Sequence, residues 1–361
     1  MKITILGGGN GSHAAAGHMT DLGHDVTLWR RELASFQGSM ADGTLKLTDW
    51  QGDRTLKLNR ITSDLEAAIF GADVVILPLP CTSHVDLAPR LAPLWQEGQV
   101  AYLPPGTFGS WILAKAKADA GNSADVSFCE TGTLPYLARM QAPDHVRISV
   151  YATRLPTGVF PARNREQALA RLQEIYPVEP LVDVLDGALM NAGPIIHPPL
   201  IMMNAGPLEH FDAWDIHNEG TQPSIRRVTD ALDQERIALR EALGYGAPHF
   251  PLADHYDDAR PEWMYGNSSH DRLTDSGDWR EHIDLISHRY MTEDSELGLA
   301  FLTSLGQRKH VAMPIANGFL AIASAITGTD PAGHSHAADN LGLTDLADPA
   351  LQDILQNGFS S

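Results

Sequence analysis

The chemistry-bearing residues of this chain begin almost at its start. Gly7-Gly8-Gly9-Asn10-Gly11-Ser12-His13-Ala14 follows the apolar run Ile3–Leu6 and opens a helix-like stretch. A glycine-rich turn between a strand and a helix is the setting in which a dinucleotide pyrophosphate is held. Gly7 permits the tight turn and Gly9 lets backbone approach the pyrophosphate. Ser12 takes the third glycine position and is small enough for helix–strand packing. The free N–H groups where the helix begins, from Asn10 and Gly11 to Ser12 and His13, offer partial positive charge to phosphate. Pro78, which closes the apolar run Val74–Leu77, is assigned to the same cofactor site.

The second strand, Asp25-Val26-Thr27-Leu28-Trp29, runs into Arg30 and Arg31. An NAD enzyme of this kind usually places Asp or Glu at that strand end to accept from the ribose 2′-hydroxyl. Here Asp25 comes too early and Glu32 slightly late. A guanidinium at Arg30 or Arg31 matches a 2′-phosphate through paired hydrogen bonds. The expected cofactor is therefore NADP in preference to NAD. The alternative is that both arginines stack on adenine and accept NAD equally.

Three later stretches stand out. They are Glu130-Thr131-Gly132-Thr133-Leu134-Pro135-Tyr136; Asn191-Ala192-Gly193-Pro194-Ile195-Ile196-His197-Pro198 with Asn204-Ala205-Gly206; and His288-Arg289-Tyr290-Met291-Thr292-Glu293-Asp294 with Gly298-Leu299. With the glycine loop, and in this order, they make the chain resemble the opine dehydrogenase family over nearly its whole length. That family includes the octopine and N-(1-carboxyethyl)norvaline dehydrogenases. The resemblance implies an NAD(P)-dependent oxidoreductase that joins an amino acid to a 2-oxo acid and reduces the imine. It implies a Rossmann domain, a doubly wound parallel sheet, followed by an all-α domain, with the active site in the interdomain cleft. It carries the catalytic histidine onto His197, its carboxylate partner onto Asp294, a cofactor-reaching arginine onto Arg289 and an amino-acid contact onto Thr131. The chain departs from the family near its C-terminus. Gly333-His334-Ser335-His336 stands before Leu341-Gly342-Leu343, where the family tends to show Gly-Arg-Thr.

The assignment makes physical sense. Condensing an amine with a ketone needs proton transfers, and histidine titrates near neutrality unperturbed. A carboxylate on its other ring nitrogen fixes the tautomer and stabilises the imidazolium. Each residue also has a plainer reading. His197 is then a helix-start histidine caught between prolines, Asp294 a helix N-cap, Arg289 a solvated helix charge, Thr131 a turn residue and Glu130 a loop charge. Trp263 is a candidate to stack on substrate, against the commoner role of a core anchor. His334 and His336 lack the companions of a metal site, so none is expected.

Two neighbouring classes share this plan, the 2-dehydropantoate reductases and the glycerol-3-phosphate and β-hydroxyacid dehydrogenases. Resemblance to either would imply a catalytic lysine in the second domain. The single lysine beyond Lys117 is Lys309, in the cluster Gln307-Arg308-Lys309-His310, which is expected to face solvent. A non-catalytic NAD(P)-binding sensor on the same fold is a third reading, since fold does not prove activity.

The elements that must position these residues follow from pattern. Short apolar runs at Ile3–Leu6, Asp25–Trp29, Val74–Leu77, Val100–Leu103, Val126–Cys129 and Val146–Tyr151 alternate with helical stretches. That implies βαβ units and a parallel sheet covered on both faces. Beyond about residue 185 the segments become longer and helical, at Ser224–Leu243, Arg280–Met291 and Pro314–Ile326. The division is a dinucleotide-binding domain over 1–183 and a helical substrate and catalytic domain over 184–361. The net charge of −19 repels polyphosphate and excludes nucleic-acid binding as the main role. No apolar run is long enough to span a membrane, and the N-terminus lacks signal-peptide features. The two cysteines, Cys81 and Cys129, lie beside apolar runs and read as core residues in a reducing cytoplasm. The expected partners are a small-molecule amino acid and a 2-oxo acid, and a homodimer is compatible.

Overall fold

Strands form in this chain where apolar runs are covered on both faces, and the computed structural model shows where that happens. It describes residues 1–257, 259, 264–266 and 279–359. In the first unit the strands are β1 (Lys2–Leu6), β2 (Asp25–Trp29), β3 (Thr44–Asp49), β4 (Gly52–Lys57), β5 (Arg60–Thr62), β6 (Val74–Ile76), β7 (Val100–Leu103), β8 (Ser127–Thr131), β9 (Tyr136–Ala142), β10 (His145–Tyr151), β11 (Leu155–Phe160) and β12 (Val178–Pro180). Eight of them make one sheet in the order β12-β11-β8-β7-β6-β1-β2-β5. Every neighbouring pair is parallel except β11 against β8. The order runs outward from β1 in both directions, which is the doubly wound arrangement. Helices α1 (Asn10–Asp21), α2 (Leu65–Ile69), α3 (His84–Leu91), α4 (Gly109–Asp119), α5 (Arg165–Leu172) and α6 (Val184–Ala188) belong to this unit.

One expected strand sits elsewhere. The run Val146–Tyr151 is part of β10, in a separate four-stranded sheet of order β4-β3-β10-β9. Its pattern explains this, because Val146 and Ile148 are buried while Arg147 between them is exposed. Such alternation suits a strand covered on one face only. Helix α1 packs against strands of both sheets. Its small residues allow the close approach: Ala14, Ala15 and Ala16 are buried, and a Cβ on Gly17 would already touch Leu45 and Leu47 at 3.5 Å.

The second unit is mainly helical, as expected. It contains α7 (Gly193–Met202), α8 (Ala205–His210), α9 (Pro223–Ala242), a π-helix over Tyr290–Gly298, α10 (Leu299–Arg308) and α11 (Pro314–Thr327). The expected helix Arg280–Met291 is not there. Arg280–Glu281 forms a short strand, β14, antiparallel to β13 (Trp214–Asp215). The next turn is shaped by Asp284, whose Oδ1 accepts from the amides of Ile286 at 3.1 Å and Ser287 at 2.8 Å. A side chain that captures local amides competes with helix formation.

By internal packing the first unit comprises Met1–Leu79, Ser83–Ala188 and the segment from Gln352. The second comprises Pro80–Thr82 and Leu189–Leu351. This grouping differs from the division at 183/184 by α6, by Pro80–Thr82 and by the C-terminal segment. Helix α6 stays with the sheet because a Cβ on Gly187 would lie 2.7 Å from the Glu130 carbonyl and 2.9 Å from the Gly158 nitrogen. Among the described residues no helix is long and apolar enough to cross a membrane.

Candidate active site

The glycine loop joins β1 to α1. Gly7 has φ 126°, in the region that favours glycine, and a Cβ there would meet Ser12 Oγ at 2.5 Å and Leu79 Cδ2 at 2.7 Å. Gly9 faces open space on its Cβ side, and its carbonyl accepts from the His13 amide at 3.1 Å and His13 Nδ1 at 3.0 Å. Burial, and then the Arg30 charge, lower the pKa of His13, so it donates to Gly9 as a neutral imidazole. A Cβ on Gly11 would lie 2.9 Å from Leu134 and 3.3 Å from Pro78, so the loop, Pro78 and the Leu134 segment form one tight cluster. Asn10 Oδ1 accepts from the Met140 amide at 2.9 Å, which ties the helix start to β9. The buried Ser12 hydroxyl bonds no protein atom among the described residues. An open cradle, helix-start amides and an unclaimed hydroxyl fit a phosphate group.

Arg30 and Arg31 part company. The Arg30 guanidinium lies over the loop, with its Cζ 2.7 Å from where a Gly8 Cβ would be. It is steadied by a 2.7 Å bond to the Ser35 carbonyl and by the Phe36 ring, 5.3 Å away. Arg31 is exposed.

Thr131 closes β8, fully buried, and donates to the Pro156 carbonyl at 2.7 Å. Its neighbour Glu130, to which no role was assigned, is not a loop charge. It is a buried strand residue whose Oε2 accepts from the Phe108 amide at 2.9 Å and Oε1 from the Ser110 amide at 2.6 Å. Burial pushes its pKa up to about 7 against those hydrogen bonds. The chain entering this pair of bonds is bent, with φ 49° at Thr107 and 65° at Phe108.

In the second unit, α7 and the π-helix pack so closely that both contact points are glycines. A Cβ on Gly193 would collide with the Asp294 carboxylate, and one on Gly298 with the Pro194 ring. Each π turn holds one residue more than an α turn, and the Ser295 hydroxyl reinforces the widened turn by donating to the Tyr290 carbonyl at 2.8 Å. Glu293 and Asp294 are consequently both buried. Asp294 Oδ2 stands 2.7 Å from His197 Nδ1, the two side chains being 10% and 14% exposed. Asp294 lies inside the π-helix and is no N-cap, and His197 lies mid-helix in α7.

The ring of Tyr290 stacks on His197 at 3.8 Å and 19°. The His217 ring stands at 79° to it with centroids 6.1 Å apart. The Arg289 guanidinium lies 5.3 Å from the Tyr290 ring centroid; Arg289 is exposed. Although part of its surface is open, its surroundings desolvate the guanidinium, and Tyr290, Glu293 and Asp294 more than offset this.

Burial lowers the pKa of His197 well below its ordinary value, aided by the charges of Arg289 and His288. Burial raises Asp294 to about 7, with Arg289 and His288 opposing. A 2.7 Å ion pair alone would shift both groups the other way, but here desolvation of two enclosed groups outweighs their attraction. Enclosure thus favours the neutral imidazole of His197 and opposes the charge of Asp294. Glu293 is likewise raised to about 7 by burial and by the Asp294 charge, and it accepts from the Cys81 amide at 2.7 Å.

Trp263 lies outside the described residues. The Lys309 cluster is less exposed than expected. Lys309 pairs with Asp348 at 2.8 Å and is 18% exposed, because the chain near Leu346 folds over it and over Arg308, which donates to the Leu346 carbonyl at 2.8 Å. His336 is buried with Nδ1 2.9 Å from the Ser335 hydroxyl. Among the described residues no cluster of His, Cys, Asp and Glu is suited to a metal. Sequence reasoning passed over Tyr290, Glu293 and His217. The first two lay inside a quoted stretch, whereas His217, in Trp214-Asp215-Ile216-His217, gave no signal.

A doubly wound sheet with a phosphate-ready first βα turn, and a helical unit holding a histidine–carboxylate pair, define a nicotinamide-dependent dehydrogenase. Residues 180–327 match the NAD/NADP octopine/nopaline dehydrogenase α-helical domain. This helical region makes the chain similar to the opine dehydrogenase family. It is similar to the opine dehydrogenase of Arthrobacter sp. (strain 1C), 25% identical over 98% of each chain. Its fold is similar to that of octopine dehydrogenase solved with NADH and agmatine, with a TM-score of 0.73, 18% identity and coverage of 100% and 99% of the two chains. It is also similar to yersinopine dehydrogenase with NADP+ bound, at TM-score 0.66, 15% identity and coverage of 99% and 98%.

Proposed function

We propose that this protein is an NAD(P)H-dependent opine dehydrogenase that condenses an amino acid with a 2-oxo acid such as pyruvate. The single observation that carries this reading is the 2.7 Å bond between His197 and Asp294, inside the helical region that matches the family. The amine nitrogen bonds to the carbonyl carbon, the carbon–oxygen bond breaks as water leaves, and the imine is reduced to a secondary amine. The bound nicotinamide supplies the hydride. Neutral His197 takes a proton from the incoming ammonium and returns it to the leaving oxygen. Asp294 holds the productive tautomer and stabilises the charged ring between those events.

The glycine loop, Ser12 and Pro78 hold the cofactor in this reading, and Arg289 is assigned to it as well. Arg30 rather than Arg31 reads the adenosine ribose, which favours NADP. Thr131 is kept as an amino-acid contact through its backbone, because its hydroxyl is bound to Pro156. We place the protein in the cytoplasm, where the buried thiols Cys81 and Cys129 stay reduced.

The test is to supply NADPH or NADH, pyruvate and a pool of amino acids, and to follow the absorbance of the reduced nicotinamide. Oxidation that needs both the oxo acid and an amine is expected. Oxidation with an oxo acid alone would identify a hydroxyacid or ketopantoate-type reductase instead. Cofactor binding without turnover would identify a sensor. The pairing of Lys309 with Asp348 disfavours the lysine-dependent alternatives.

A further inference from the structure

The Asn204-Ala205-Gly206 motif has no part in the chemistry above, yet Asn204 does a specific job. Its Nδ2 donates to the carbonyls of Leu200 at 2.7 Å and Gly220 at 2.9 Å, and its Oδ1 accepts from Trp214 Nε1 at 3.2 Å. The loop it braces, 214–221, is locked internally too. Asp215 accepts from the His217 and Asn218 amides at 3.0 and 3.1 Å, and Thr221 donates to the Ile216 carbonyl at 2.7 Å. Gly220 is required there, since a Cβ would lie 2.7 Å from Ile216 Cα. The side chain this braced loop brings beside the candidate acid/base is His217, 8% exposed, with its ring centroid 6.1 Å from that of His197 and 5.4 Å from that of Trp279.

We propose that His217 contacts the substrate and receives the carboxylate of the 2-oxo acid beside His197. This rests on the opine dehydrogenase reading. Tyr290 covers one face of the His197 ring and Asp294 takes Nδ1, so a reacting molecule has to approach from what remains. Two imidazoles at this spacing are close enough for one small molecule to bridge. In a 2-oxo acid the carboxylate is bonded directly to the reacting carbon. A donor held next to the group that protonates the carbonyl oxygen therefore meets that carboxylate. In a chain of net charge −19, an anionic substrate also needs local donors of this kind.

Steady-state kinetics of the whole protein test this, with pyruvate varied at saturating NADPH and at a saturating level of the amino acid on which the parent is active. His217→Phe keeps the ring volume and removes the donor. It is expected to raise KM for pyruvate by about 10- to 100-fold, with kcat, the amino-acid KM and NADPH affinity within about threefold. His217→Gln is expected to recover most of the loss. A His217→Phe protein with parental KM for pyruvate overturns the proposal. So does a uniform loss in kcat and both KM values that Gln does not rescue, which would mark a structural residue. A second measurement needs no folded Phe variant. The imidazole NMR signals of His217, assigned by their absence in His217→Gln, should shift when pyruvate is added with NADP+, and their failure to move overturns the proposal. An active parent with unaffected variants rejects His217 alone, whereas an inactive parent rejects the opine dehydrogenase reading beneath it.

Discussion

The two units build their sites from different materials. The candidate cofactor cradle of the first is mostly backbone, made of amides and carbonyls that glycines bring to where no side chain intervenes. The candidate acid/base centre of the second is wholly side chain, an imidazole gripped by a carboxylate and a phenol ring. Glycines matter in both, but for opposite reasons. At Gly7 the backbone conformation itself excludes a Cβ, whereas at Gly193 the obstacle is the carboxylate of Asp294. A backbone site is rigid as soon as the turn forms, while a side-chain site is only as good as the packing of two helices.

The sharpest way to break this comparison is to remove chemistry without touching either scaffold. His197→Gln should lower kcat by about 10²- to 10⁴-fold while NADPH affinity stays near parental. Asp294→Asn should do similar damage by favouring the wrong tautomer. Stopped-flow turnover and cofactor titration by fluorescence measure the two quantities separately. Parental turnover in His197→Gln would sink the mechanism.

Next come the two glycines. Gly7→Ala combines a strained φ with a collision and should cost about 1–3 kcal/mol of stability and most cofactor affinity. Gly193→Ala displaces Asp294 and should lower kcat by about 10- to 100-fold, with NADPH affinity unchanged. Thermal unfolding and cofactor titration of both variants decide it. If Gly193→Ala loses the cofactor and Gly7→Ala does not, the division of labour described above is wrong.

A smaller effect is expected at the adenosine end. Arg30→Ala should reduce the ratio of kcat/KM for NADPH over NADH by about tenfold or more, and Arg31→Ala by less than about threefold. Equal ratios in parent and both variants would remove Arg30 from cofactor selection.

The smallest concerns Glu130. Its ordinary pKa of 4.5 is raised to about 7 in the folded protein. Between these values the unfolded chain releases a proton that the folded chain keeps, so stability falls as pH rises from about 4.5 to about 7 and then levels. Glu130 alone accounts for at most about 3 kcal/mol of that fall. In Glu130→Gln the slope of unfolding free energy across this window should flatten, read from denaturant titrations at several pH values. An unchanged slope would mean that Glu293 and Asp294, raised in the same direction, account for all of it.

The contrast between backbone and side chain also explains what was legible beforehand. The glycine loop could be read because glycine spacing between a strand and a helix is itself the structural requirement. β2 and β7 begin and end where their apolar runs do. The hairpin of β3 and β4 was not legible, because Leu45 and Leu47 are buried while β4 has no buried residue and leaves little apolar signal. Glu130 misled because a carboxylate inside an apolar strand contradicts its composition until its amide partners are known. His197 and Asp294 were reached through their order in the chain, since residues 97 positions apart show no contact in a sequence. The π-helix left no trace, because a single extra residue is lost within the usual tolerance of a 3.6-residue period.

That extra residue has a consequence for what this part of the chain can lose. In an α-helix each residue turns the chain by about 100°. If Tyr290–Gly298 lost one residue and relaxed to α form, every side chain after the deletion would swing by roughly that angle. A loss before Asp294 would then carry its carboxylate away from the imidazole, although neither residue of the candidate pair had been replaced. Length as well as identity fixes where the side chains of this segment stand. A descendant shortened here would need its carboxylate at a neighbouring position, whereas the exposed turn at Trp50 and Gln51 carries no such constraint.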